Sequence, residues 1–94
     1  MIYIIIVFKG RKYCDIGINE MDTIKQIMEI FYNKISMDQK KRFYTKEKVI
    51  LKNGDTTLNG DEASLNKTAG DMGLEDNDTL ELLMTEDMNA GKNN

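Results

Sequence analysis

A chain of 94 residues, 40% hydrophobic and 31% charged, has the proportions of one small folded domain and is too apolar for a disordered segment. Its net charge of −3 disfavours a general affinity for nucleic acid or for an anionic membrane surface. With no histidine and one cysteine it can build no Ser-His or Cys-His nucleophile, no internal disulfide and no structural zinc site, which fits a cytoplasmic setting.

Ile2–Phe8 reads IYIIIVF, rich in β-branched and aromatic residues. Apolar at both parities, it suggests a central strand covered on both faces. It follows Met1 with no basic leader, and Lys9, Arg11 and Lys12 stand where a small-residue cleavage site would belong. The run is also far short of the roughly 20 residues that span a bilayer, so stable membrane insertion is not expected. Lys9–Lys12 is a polar turn, and Tyr13–Asn19 is a second strand forming a hairpin with the first. Its alternation puts Cys14, Ile16 and Ile18 on one face and Tyr13, Asp15, Gly17 and Asn19 on the other.

The clearest helical period lies over Thr23–Ser36, TIKQIMEIFYNKIS. Ile24, Ile27, Met28, Phe31 and Ile35 fall on one face, and Thr23 with Gln26 has the spacing of a capping box. Met37–Lys48 is polar and basic, broken by Phe43 and Tyr44. Val49–Leu51 is a short strand, Asn53-Gly54 a turn, and Thr56–Leu58 a returning strand. Asp61–Asp71 reads as a loop with a brief helical turn at Ala63–Leu65. Leu80–Met84 is the last strand, and Thr85–Asn94 has little to bury and reads as a disordered tail. The chain is thus one domain over residues 1–84, followed by a tail at 85–94.

Two hairpin strands, one helix and further short strands suggest an α+β fold in which a mixed sheet of four or five strands closes over the helix. Asp22-Thr23-Ile24, Thr68–Leu74 and Asp78–Leu82, in that order, resemble the segments that open the helix and lead into the final strand of the ubiquitin-like β-grasp superfamily. Within it, the Gly73-Leu74 step, the Asp76-Asn77-Asp78 turn and Leu80–Leu83 are similar to bacterial YukD/EsaB-like proteins of type VII secretion. The loop Leu58–Lys67 looks longer than theirs, and a eukaryotic ubiquitin-like or SUMO-like domain fits the same residues nearly as well. The resemblance implies a non-catalytic adaptor that binds protein partners, within a secretion assembly if the bacterial likeness holds. Conjugated modifiers of the superfamily end in Gly-Gly, whereas this chain carries Ala90-Gly91 followed by three more residues. The alternative, a protein modifier, requires processing after Gly91.

No cofactor or metal is expected. Asp55, Asn59, Gly60 and Asp61 approach the spacing of a calcium loop, but Thr57 and Asn66 stand where it needs Asp or Asn and then Glu. Two surface features remain. Lys40, Lys41, Arg42, Lys46 and Lys48 surround Phe43 and Tyr44, a pattern that can stack single-stranded nucleic acid. The acidic whole argues against that use, and a protein-docking role for Arg42, Phe43 and Tyr44 fits better. If Ile2, Ile4, Ile6 and Phe8 join Cys14, Ile16, Ile18, Leu80 and Leu82 over the helix, then Tyr3, Ile5, Val7, Tyr13 and Leu83 form an outward apolar strip. That strip would take a partner or a second copy of the chain. The reversed parity would expose Ile2, Ile4, Ile6 and Phe8 instead, and the Leu58–Asp71 loop or the tail could cover either set.

Overall fold

The computed structural model describes residues 1–36 and 49–84. The elements are β1 (Ile2–Phe8), β2 (Arg11–Ile18), α1 (Ile24–Ser36), β3 (Val49–Asn53), β4 (Thr56–Thr57), α2 (Glu62–Leu65) and β5 (Asp78–Met84). The strands form one sheet in the order β2-β1-β5-β3-β4. β1 and β5 run parallel, and the other neighbours are antiparallel.

Burial then settles the parity. Ile4 and Ile6 of β1 have no exposed surface, and neither do Val49, Leu51, Leu80 and Leu82. With Ile16 and Ile18 they line the inner face, against Ile24, Ile27, Met28 and Phe31 of α1. β1 lies inside the sheet as its composition suggests, but the described helices cover only its inner side, and Tyr3 is 54% exposed. The side chain of Ile35 lies outside the described set.

The β1–β2 hairpin is tighter than the sequence implies. Its loop is Lys9-Gly10 alone, with φ of 52° and 80°, and Phe8 pairs with Arg11. Two residues with positive φ match the right-handed twist of the flanking strands. The strand therefore begins at Arg11, ahead of Tyr13. A bulge follows, because Ile6 pairs with Cys14 while Val7 pairs with Lys12. The extra residue is Tyr13. Its outward assignment is corrected, since a bulge turns the side chain that simple alternation would place outside. Tyr13 packs against the core, 6.0 Å from the Phe8 ring in an edge-on contact and 6.2 Å from the Phe31 ring. Lys12 takes its place beside Val7 on the outer face.

The start of α1 has the reciprocal cap its sequence implies. The Gln26 N–H donates to Thr23 Oγ1 at 3.2 Å, and the Thr23 N–H donates to Gln26 Oε1 at 2.8 Å. The loop before β5 is tied to this end. The Ile24 N–H donates to the Lys67 carbonyl, the Ala69 N–H to Asp22 and the Gly70 N–H to Glu20. These bonds, and the packing of Leu58 and Ala69 in the core, hold the loop on the helix side of the sheet. Within it, Asp61 caps α2 by accepting the Ser64 N–H at 2.8 Å.

β4 is too short to pair all of β3, and Asn59 completes the ladder with its side chain. Its Oδ1 accepts the Leu51 N–H at 3.1 Å, and its Nδ2 donates to the Val49 carbonyl at 2.7 Å. Both partners belong to fully buried residues. Asn59→Ala leaves a donor and an acceptor unpaired and is expected to cost about 1–3 kcal/mol per group not reached by water. Urea unfolding checks this; a change within error would show that the side-chain bridge is dispensable.

Candidate protein-docking face

Both described helices lie on one side of the sheet: α1 packs on its inner face and α2 packs against α1. The strand register therefore decides what the other side presents. On it, Tyr3 lies beside Gly17, Ile5 between Asp15 and Thr79, and Val7 between Lys12 and Glu81. Glu81 in turn neighbours Lys52, and Leu83 pairs with Ile50. The face is an apolar strip along β1 that continues through Leu83 and Ile50, with charged side chains between and beside the apolar ones.

Its exposed end is built by a glycine. A Cβ on Gly17 would stand 2.8 Å from Met1 Sδ and 3.7 Å from Tyr3 Cε1, so the absent side chain leaves room for both to lie across β2. Met1 is 79% exposed and Tyr3 54%. The backbone beneath them is fixed by the turn before β5. The Tyr3 N–H donates to Asp76 Oδ1 at 2.8 Å, and the Tyr3 carbonyl accepts the Asn77 N–H at 2.7 Å. Asn77 adopts a φ of 69°, a left-handed conformation that asparagine tolerates.

At the β2 margin, Lys12 Nζ lies 3.0 Å from Asp15 Oδ2, and Lys34 Nζ lies 3.8 Å from Asp15 Oδ1. The Lys12 hydrogen bond and charge hold the Asp15 carboxyl below its ordinary value. Asp61 and Asp71 are lowered too, chiefly by the backbone N–H groups of Ser64 and Thr68. A carboxyl whose folded pKa is depressed stabilises the fold above its unfolded pKa and loses that contribution as pH falls through the folded value. The melting temperature is therefore expected to fall on acidification through and below the ordinary carboxyl pKa of 3.8, with the Asp61 cap and the bond from the Thr68 N–H to Asp71 contributing. A flat thermal-melt profile across that range would contradict this.

Of the residues singled out from sequence, Tyr3, Ile5, Val7 and Leu83 share the outer face, and Tyr13 does not. Arg42, Phe43 and Tyr44, the tail at 85–94 and the processing point at Gly91 lie outside the described residues. Ile50 was not legible as a member of the face. The available signal was its place between Val49 and Leu51, both inward, but its partner Leu83 is fixed only by the β3–β5 register. A groove of about 450 Å³ opens on the opposite side, between α1 and the turn at 59–65, with Met28, Tyr32, Val49 and Leu65 among its lining. Among the described residues, no three His, Cys, Asp or Glu side chains converge as a metal site would require. No described helix is long and apolar enough to cross a membrane.

A mixed five-stranded sheet whose parallel central pair joins the first and last described strands, closed over α1, is a specific topology. This is the ubiquitin-like β-grasp fold. The chain is similar in structure to the ubiquitin-like domain of the Arabidopsis thaliana protein At2g32350, with a TM-score of 0.60 and 10% identity over 88% of this chain and 76% of that one. It is also similar to the ubiquitin-like domain of PLXNC1, with a TM-score of 0.60 and 14% identity over 89% of this chain and 98% of that one. No family model and no curated protein matches the sequence. At these identities the likeness concerns the β-grasp backbone alone.

Proposed function

We propose that this β-grasp chain is a non-catalytic protein-docking module, an accessory subunit that binds a larger partner through the outer face of its sheet. The observation that supports this most is that Tyr3, Ile5, Val7, Ile50 and Leu83 gather on the side of the sheet away from both described helices. Apolar groups set among charges, on a rigid sheet, suit a partner that buries the centre and leaves a polar rim. A secretion assembly is the narrower form of this reading. It rests on the residue resemblance at Gly73-Leu74 and Asp76–Leu83, and genes for a secretion ATPase beside this one would support it.

Site-specific photo-crosslinking tests the docking surface. A photoreactive residue at position 5 or 50 should give a discrete protein adduct in native-cell extract, whereas one at position 25, on the exposed side of α1, should not. Adducts from position 25 alone would overturn the assignment.

A further inference from the structure

We propose that the Asn-Gly pairs at Asn53-Gly54 and Asn59-Gly60 are a deamidation site and its shielded counterpart: Asn53 is converted in the folded chain, Asn59 only when the chain unfolds. Asparagine is among the thermally labile side chains, and a following glycine brings no Cβ to obstruct its own backbone nitrogen. In the reaction the Gly54 nitrogen gives its proton to hydroxide and attacks Asn53 Cγ. A C–N bond forms, the side-chain nitrogen takes up a proton and leaves as ammonia, and a cyclic imide closes. Water then adds to either imide carbonyl and opens the ring, leaving aspartate or isoaspartate with a new negative charge.

The local chemistry of the two pairs is alike, so the fold decides between them. Gly54 opens the exposed β3–β4 turn with a φ of 63°, and no atom stands within 4 Å of where its Cβ would be. Among the described residues no hydrogen bond holds the Asn53 side chain. Ring closure takes Asn53 out of extended geometry, which opens only the end of a ladder built from Lys52–Thr57 and Asn53–Thr56. At Asn59 the amide is already in use, its Oδ1 on the Leu51 N–H and its Nδ2 on the Val49 carbonyl. Both bonds must break before Cγ can be attacked, and breaking them strands polar groups of two residues with no exposed surface. Thr57 also crowds the next residue, with its Cγ2 3.6 Å from where a Gly60 Cβ would lie.

The consequences differ in the same way. A carboxylate at position 53 lies beside an exposed turn. One at position 59 has no N–H for the Val49 carbonyl, which lies 2.7 Å from the nitrogen that is lost, so two acceptors face each other. A chain that deamidates at Asn59 while unfolded therefore refolds to a less stable state, and the episode is recorded covalently.

The test holds the full chain at mildly alkaline pH, folded in buffer or unfolded in urea, with circular dichroism confirming each state. Cleavage after Glu47 and Glu62 releases both pairs in one peptide, whose fragment masses read the exchange of NH2 for OH at each position. In buffer Asn53 should convert at least about tenfold faster than Asn59, the order expected when two hydrogen bonds to buried groups must break first. In urea the two rates should converge. Equal rates in buffer, or an Asn59 that stays slow in urea, overturn the shielding, and an Asn53 that does not convert in the folded chain overturns the site. Asn59→Asp should melt well below Asn53→Asp; matching melting temperatures overturn the predicted consequence.

Discussion

Ile4→Glu is expected to abolish folding, while Ile5→Glu, one residue along the same strand, leaves a folded chain. Ile4 has no exposed surface and packs in the core, so its replacement buries a carboxyl with no partner. That costs several kcal/mol, even with the group forced into its neutral form. A small domain has only about 5–15 kcal/mol in total, and a chain of this size sits at the lower end. Ile5 points the other way, between Asp15 and Thr79, where a carboxylate remains hydrated. Its substitution forfeits part of an apolar contact and adds a like charge beside Asp15, a loss of about 1 kcal/mol. Circular dichroism and urea unfolding of the two variants read the parity of β1 directly. A folded Ile4→Glu chain beside an unfolded Ile5→Glu chain would reverse the faces of the sheet.

The second large effect is at Phe31. This ring has no exposed surface and sits among the buried residues of both α1 and the sheet, within ring contact of Tyr13 and Tyr32. Phe31→Ala removes that burial and leaves a cavity that the surrounding strands close only in part. The cost is about 3–5 kcal/mol. At 4–8 °C per kcal/mol for a domain of this length, the melting temperature should drop by on the order of 20 °C. A shift of only a few degrees would show that Phe31 is not the centre of the core. Tyr13 should feel the same change, because its ring leans on Phe31 from the bulge in β2.

Parts of this architecture are legible in the amino-acid sequence because their signals are local. Thr23, Gln26 and the apolar period from Ile24 to Phe31 are close neighbours, so the helix and its cap can be read from that stretch alone. Alternation divides β1 into Ile2, Ile4, Ile6 and Phe8 against Tyr3, Ile5 and Val7, but both sets are apolar, and only the burial of Ile4 and Ile6 decides which faces the helix. What escapes the sequence is non-local or irregular. The bulge opposite Ile6 moves Tyr13 from the outer strip to the core, and alternation has no way to announce an inserted residue. Ile50 joins the face through its register with Leu83, a pairing between distant segments. Asn59 looks like a turn residue, whereas its amide extends the ladder of β3 across an edge that β4 leaves open. The docking face is therefore half readable: alternation groups Tyr3, Ile5, Val7 and Leu83, whereas the outward parity, the entry of Ile50 and the loss of Tyr13 depend on how the strands meet and pack.

Binding of a protein through the outer face of this β-grasp sheet is read most directly by quantitative co-purification of the tagged full chain from its native cell. Four forms are compared at equal abundance: wild type, Ile5→Glu, Ile50→Glu and the helix-side variant Lys25→Glu. A partner recovered with wild type and Lys25→Glu, and depleted at least about tenfold with Ile5→Glu and Ile50→Glu, is the predicted result. Equal recovery with both outer-face variants, or depletion by Lys25→Glu alone, would contradict it.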